Sequence, residues 1–175
     1  LVEECKKKYE SSGINTYHII TQPGMRYAIT KALVYSLLQD DYFSNISEGD
    51  KTYIINKILS DIKGRMLEDI VLLDKVKTLS KEYDVFKFKF DGGGEYDMVI
   101  YNKTNNTCSL YEIKHSDKIN ARQYQYLVDN VYNKESEAGI IWNDPDINER
   151  NIVFMFKTTS YNGILKTITL KATLN

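Results

Sequence analysis

Apolar and polar residues alternate with a period of two in several short stretches of this chain, and that alternation predicts strands. The clearest stretch is residues 85–90, which reads Val-Phe-Lys-Phe-Lys-Phe. The same pattern, or a short apolar run, predicts further strands at residues 95–101, 110–115, 138–142, 151–157 and 164–174. Most of the predicted strands therefore lie in the second half of the chain.

A period of 3.6 predicts helices in the stretches between and before these strands. The longest covers residues 52–73, with Gly64 as a candidate break. Residues 26–39 carry a second apolar stripe, residues 120–132 form a third helix, and residues 2–10 read as a short polar helix. The stripe of residues 26–39 is apolar enough to require a partner surface.

The order of elements divides the chain into a helical N-terminal segment, residues 1–50, and an α/β domain, residues 51–175. A chain of 175 residues can bury one substantial core. The net charge of −1 supplies no global basic field, so nucleic-acid binding would need a local patch. No apolar run approaches the ~18 residues of a membrane span, and no signal peptide is visible. We expect a soluble, cytoplasmic domain with no membrane partner.

Charged residues on two successive predicted strands are the strongest candidates for a site. Asp97 lies on the first strand, and Glu112 and Lys114 share one face of the second. The polar connector, residues 102–107, predicts a hairpin. A loop of two or four residues would place Asp97 opposite Lys114 or Glu112. Two carboxylates suit a divalent cation with oxygen ligands, and a neighbouring lysine can orient a water molecule.

The same pattern also fits the solvent-exposed face of an antiparallel sheet, where charged and apolar residues alternate. Three observations favour a site instead. Asp97 begins one apolar strand while Glu-x-Lys ends the next, the spacing permits one shared face, and Glu68 supplies a third acid from the helix upstream. The run Gly92-Gly93-Gly94 lacks the spacing of a phosphate-binding loop and is interpreted as a tight turn.

A helix with Glu, a strand with Asp and a strand with Glu-x-Lys together resemble the PD-(D/E)xK nuclease superfamily, which has the restriction-endonuclease-like fold. More narrowly, residues 64–71 (GRMLEDIV), 94–99 (GEYDMV) and 111–116 (YEIKHS) resemble the nuclease-like domain at the C-terminus of prokaryotic AAA-type ATPases. Residues 21–27 (TQPGMRY) are similar to the segment that joins such an ATPase to that domain. The resemblance implies an α/β fold with a mixed central sheet flanked by helices.

The resemblance also implies a function, which is metal-dependent hydrolysis of phosphodiester bonds in nucleic acid, most simply DNA. Asp97, Glu112 and Glu68 would hold Mg²⁺ or Mn²⁺, helped by the carbonyl of Ile113. Lys114 would position the attacking water and stabilise charge in the transition state. The four catalytic candidates are therefore Asp97, Glu112, Lys114 and Glu68.

Related nucleases carry a glutamine or a basic residue on the helix after the Glu-x-Lys strand. Here Lys118, Arg122 and Gln123 are the candidates for nucleic-acid contact. One branch of the superfamily has a tyrosine four residues after the glutamine, where this chain has Leu127. The role of Gln123 therefore stays open, and a solvated first helical turn is the alternative.

The partner that this resemblance implies is a AAA-type ATPase domain of the same longer chain. Because the sequence begins at Leu1 in mid-pattern, we expect a fragment, with residues 1–50 as the tail of an upstream ATPase or winged-helix part. Two alternatives remain open. One is an inactive nuclease-like fold that binds nucleic acid or a protein. The other is a domain that regulates or oligomerises the ATPase, which would make the chain a homo-oligomer.

Overall fold

The structure, a computed structural model, describes residues 2–6, 16–90, 94–116, 121–133, 147–157 and 165–172. The described strands are β1 (Val2–Lys6), β2 (Thr16–Ile20), β3 (Tyr83–Phe90), β4 (Gly94–Asn102), β5 (Thr107–Lys114), β6 (Glu149–Lys157) and β7 (Leu165–Ala172). The described helices are α1 (Pro23–Leu37), α2 (Glu48–Thr78) and α3 (Ala121–Tyr132), with a short 3₁₀ helix at Asp41–Phe43. The chain is therefore an α/β protein.

Five of the described strands form the main sheet in the order β3-β4-β5-β6-β7. The pairs β3–β4, β4–β5 and β6–β7 are antiparallel, and β5–β6 is parallel. Because α3 follows β5 and precedes β6, it lies in the crossover that a parallel pair requires. The predicted mixed sheet is confirmed.

Helices cover the two faces of this sheet, because neighbouring residues of a strand point to opposite sides. On one face, Leu72 of α2 is fully buried in a cluster with Met98 and Ile113. On the other face, Val131 of α3 is fully buried in a cluster with Val99 and further apolar strand residues. Burial of each such side chain stabilises the fold by roughly 1.5–3 kcal/mol. The predicted flanking of the sheet by helices is confirmed.

Helix α2 runs without interruption through Gly64, so the break considered there does not form. Its N-terminus is capped by Ser47, whose Oγ accepts a hydrogen bond of 3.1 Å from the backbone N–H of Asp50. A glycine in a helix costs about 1 kcal/mol relative to alanine. Burial of Leu59 before it and Leu72 after it outweighs that cost. The helix is therefore held by its packing rather than by propensity alone.

The predicted helix over residues 2–10 is wrong for Val2–Lys6, which form β1. This strand pairs antiparallel with β2, from Val2 opposite Ile20 to Lys6 opposite Thr16. The N-terminal segment is therefore a strand pair followed by α1, and it is not helical throughout. Tertiary contact explains the difference, because Ile19 of β2 is buried in the cluster with Leu72. That contact stabilises an extended partner for residues 2–6.

Helix α1 confirms the predicted stripe over residues 26–39 but buries only part of it. Val34 and Leu38 are buried. Leu33 remains 64 % exposed and Leu37 57 % exposed.

The predicted boundary after residue 50 falls in the first turn of α2, and the division into two domains stays a prediction. The strand predicted at residues 138–142 lies outside the described residues. In the described part of the chain, no helix has the length and apolar character to cross a bilayer.

Candidate active site

Strands β4 and β5 separate at the position where the predicted site residues lie. Their pairing begins at Asn102 opposite Thr107 and ends at Met98 opposite Tyr111. The connection therefore has four residues. Of the two registers considered, the one that forms is the register whose next pair, beyond the last paired residues, would be Asp97 opposite Glu112. Beyond Tyr111, β5 continues along β6, where Glu112 is paired with Phe154. A gap thus opens beside the end of β5.

A β-bulge in β4 lies at the same position. Phe86 of β3 is opposite Val99, whereas Phe88 is opposite Tyr96, so Asp97 and Met98 together face the single residue Lys87. A bulge of this kind bends a strand and redirects its side chains. Here Tyr96 and Val99 both pack in the α3-side cluster although they are three residues apart. Because of the bulge, Asp97 lies at the point where side chains of β4 stop alternating regularly between the two faces of the sheet.

The gap beside β5 is filled by the Asp97 carboxylate. Its Oδ2 accepts a hydrogen bond of 2.6 Å from the backbone N–H of Ile113. The Lys114 ammonium lies 4.0 Å from the same oxygen and forms a direct ion pair with Oε1 of Glu112. Asp97 and Glu112 are both only 3 % exposed, whereas Lys114 is partly open to solvent. The structure thus brings together Asp97, Glu112 and Lys114.

Glu68 approaches this group from α2 without joining it directly. Its Oε2 forms an ion pair of 3.3 Å with Nζ of Lys87, and both side chains are largely buried. The negative charge of Glu68 raises the pKa of Asp97 and of Glu112. Among the described residues, no three acidic, histidine or cysteine side chains form a close group of the kind that holds a metal ion.

Burial dominates the electrostatics of the site. It raises the pKa of Asp97, and the charges of Glu112 and Glu68 raise it further, to about 8, against the opposing effects of Lys114 and the Ile113 N–H. Burial also raises the pKa of Glu112, which Lys114 counteracts. For Lys114, burial lowers the pKa, but Glu112 and Asp97 more than offset this, so the net shift is upward. Lys114 therefore carries a stable positive charge at neutral pH.

The donor set fits a hard divalent cation. Mg²⁺ in proteins is commonly held by one or two carboxylates, with water molecules and substrate phosphate completing its shell. Asp97 and Glu112 supply two neighbouring carboxylates, which both lie within ion-pair distance of Lys114. Three carboxylates here face two lysines, Lys114 and Lys87. Because ionising all three carboxylates leaves an excess of negative charge, an added cation would stabilise the group.

The residues predicted to contact nucleic acid are only partly described. Arg122 lies exposed in the first turn of α3. Lys118 and the side chain of Gln123 fall outside the described residues. The role of all three stays a prediction.

A cavity of about 380 Å³ beside Glu68 contains residues that the sequence pattern did not single out. Arg26 of α1 forms an ion pair of 2.6 Å with the buried Asp69 of α2. Burial raises the pKa of Asp69, which Arg26 counteracts. The remaining walls of the cavity are Ile19, Arg65, Glu68, Lys87 and Glu95. The sequence feature that could have indicated this cavity is the three-residue spacing of Arg65 and Glu68, which places both on one face of a helix.

No protein-family model, curated protein or solved structure shows a significant match to this chain. The resemblance of its motifs to PD-(D/E)xK nucleases therefore stays a prediction from sequence. Any functional assignment rests on the motifs and on the geometry described above.

Proposed function

We propose that this chain is a metal-dependent nuclease domain that hydrolyses phosphodiester bonds, with DNA as its substrate. One observation carries the proposal: Asp97, Glu112 and Lys114 converge where two strands separate, and the two carboxyl groups are buried there, unlike charged groups on an ordinary exposed sheet face. Buried carboxyl groups whose pKa is shifted far from its usual value are typical of functional sites. Glu68 of α2 is the third carboxylate of the proposed site.

The order of elements supports a restriction-endonuclease-like core. Helix α2 carries Glu68 and is followed by the antiparallel strands β3, β4 and β5, of which β4 carries Asp97 and β5 carries Glu112 and Lys114. Helix α3 then leads to the parallel strand β6. This is the order that the sequence resemblance implies. As part of the same proposal, the domain acts in the cytoplasm, attached to a AAA-type ATPase.

In the proposed reaction, Asp97 and Glu112 would hold Mg²⁺ or Mn²⁺, with Glu68 acting through water. When bound, such a cation supplies charge stabilisation for the phosphate and lowers the pKa of a coordinated water molecule. The Ile113 N–H fixes the orientation of the Asp97 carboxylate through its 2.6 Å hydrogen bond. Lys114 donates hydrogen bonds from a protonated ammonium, so it can orient the attacking water and stabilise negative charge on the phosphate.

A second candidate function is an inactive nuclease-like domain that binds nucleic acid or a protein, or that regulates an attached ATPase. The ion pairs favour it, because Lys87 already compensates Glu68 and Lys114 already compensates Glu112. In this case no cation is needed to hold the carboxylates together. The two candidates differ in whether the protein cuts its ligand.

The test is cleavage of single- and double-stranded DNA with Mg²⁺ or Mn²⁺, followed on gels for the wild type, Lys114→Ala and Asp97→Asn. Lys114→Ala removes no metal ligand, so we expect DNA binding to survive and cleavage to fall by on the order of a hundredfold or more. Equal cleavage by all three proteins would indicate a contaminating nuclease and refute the site. Wild-type protein that cuts no DNA or RNA would favour the second candidate.

A further inference from the structure

The cavity beside Glu68 gathers positive charge from three separate elements. Arg26 comes from α1, Arg65 from α2 and Lys87 from β3. Arg65 precedes Glu68 by three residues, so the two share a face of the helix about one turn apart. Glu68, the helix residue of the proposed active site, lines the cavity, so the cavity adjoins that site.

The cations of this cavity are not equally available to a ligand. Arg26 is held at 2.6 Å by the buried carboxylate of Asp69, and Lys87 is paired at 3.3 Å with Glu68. Within the described part of the chain, no carboxylate lies in ion-pair contact with Arg65. Arg65 is exposed to solvent, and its charge still acts on Asp69. Its guanidinium is therefore the cation best placed to bind an anion.

We propose that this cavity binds a phosphate group of the nucleic-acid strand that enters the active site, with Arg65 as the main contact and Lys87 beside it. The inference rests on the proposed function and names the substrate contact next to the reacting phosphate. A guanidinium offers paired N–H donors that match two phosphate oxygens, which an ammonium cannot do.

The proposal also predicts the opposite effect on binding for a substitution at Glu95. It lies on β4 at the wall of the same cavity and is exposed. A carboxylate at this position repels a bound phosphate. Glu95→Gln should therefore strengthen nucleic-acid binding, whereas Arg65→Ala should weaken it. A purely structural cavity would show neither effect, because both side chains are exposed and neither supports the core.

The experiment measures binding of fluorescent single- and double-stranded DNA to the full chain by anisotropy over a range of salt concentrations. It is done in EDTA and again with Ca²⁺ in place of Mg²⁺, so that binding is read without cleavage. We expect Arg65→Ala to weaken binding and to reduce the slope of log K against log salt by about one. Arg65→Lys should recover part of the loss.

The matched control is Lys57→Ala, an exposed cation on the same helix. It lies eight residues before Arg65, about 12 Å along the axis, and should leave binding and salt slope unchanged. Oligonucleotides with a 5′-phosphate or a 5′-hydroxyl identify the source of the phosphate. A loss confined to the phosphorylated DNA assigns the cavity to a strand end, and an equal loss on both assigns it to an internal phosphate.

Coincident curves for Arg65→Ala and Lys57→Ala, or a wild type that binds no DNA, would overturn this inference. Its failure is distinct from failure of the nuclease proposal. A protein that cuts DNA but binds it equally well without Arg65 retains the proposed function and loses the phosphate cavity. A protein that binds through Arg65 but never cuts retains the cavity and loses the catalytic role.

Discussion

The backbone N–H of Ile113 donates a 2.6 Å hydrogen bond to the carboxylate of Asp97, in the place where a paired strand would supply a carbonyl. This contact ties the candidate site to the integrity of the sheet, because the N–H would otherwise be buried without a partner. It also means that Asp97 has a structural role and a proposed chemical role. Substitutions that separate the two roles are informative.

Asp97→Asn and Asp97→Ala form such a pair. The asparagine retains an acceptor for the Ile113 N–H and removes the group that would have to ionise beside Glu112, so the metal-free protein should be at least as stable as the wild type. The alanine leaves the N–H unsatisfied, which should lower the free energy of unfolding by about 1–3 kcal/mol. Urea denaturation in EDTA measures both. Equal destabilisation by the two variants would show that charge is the stabilising feature.

Divalent metal should stabilise the native protein. A cation that binds only the folded state adds RT ln(1 + [L]/Kd), or roughly 2.7 kcal/mol at a hundredfold excess over Kd. We expect millimolar Mn²⁺ to raise the melting temperature of the wild type, and Asp97→Asn and Glu112→Gln to abolish the gain. Lys77→Ala, at the C-terminal end of α2 and nine residues after Glu68, should behave as wild type. A melting curve unmoved by Mn²⁺ would favour the inactive fold.

The stability of the metal-free protein should depend on pH through Asp97. Its pKa is raised from 3.8 in the unfolded chain to about 8 in the native state, first by burial and then by Glu112. Between these values the native state binds the proton more tightly, so the free energy of unfolding falls as pH rises and levels off above about 8. The slope attributable to one proton is at most about 1.4 kcal/mol per pH unit.

This pH dependence is measured by urea denaturation in EDTA at intervals between pH 5 and pH 9, for the wild type beside Asp97→Asn. The variant lacks the titrating group, and its curve should be flatter than that of the wild type. Because Glu112 titrates together with Asp97, some dependence should remain in the variant. Parallel curves for the two proteins would contradict the assignment of a raised pKa to Asp97.

The exposed stripe on α1 should make the protein self-associate. Leu33 and Leu37 are more than half exposed and lie one turn apart, next to the partly exposed Ile29. Sedimentation at increasing concentration should show association that Leu33→Gln reduces. Tyr42→Gln is the control, since it removes an exposed aromatic residue outside the helix. A wild type that stays monomeric at all concentrations would remove this support for a homo-oligomer.

Residue patterns predicted the described strands of the main sheet and the described helices α1, α2 and α3, because the periodicity of these segments matches how their side chains are buried. The hairpin register was predicted only as a pair of alternatives, since every residue of the connector is polar and fits either loop. The turn itself decides between them. Asn106 adopts a positive φ of 52°, and the Asn102 side chain accepts a hydrogen bond of 2.9 Å from Thr104 N–H.

Features that depend on contacts between distant parts of the chain were not predictable in this way. The bulge at Asp97 follows from the register of β4 against β3, which neither strand encodes alone. Arg26 acquires its role only because α1 packs on α2 and meets Asp69. Strand β1 forms because β2 is anchored through Ile19. Each of these results from tertiary pairing that overrides local preference.

The parallel pairing of β5 with β6 has a consequence for how the protein folds. All four catalytic candidates lie within the first 114 residues. However, one edge of β5 pairs with β6, which ends at Lys157. Ser109 and Asn151, which face each other across that edge, are 42 residues apart in the chain. Such non-local pairs form late, and an open central strand invites aggregation. A chain truncated after α3 would therefore contain all of the catalytic candidates without the strand that supports them.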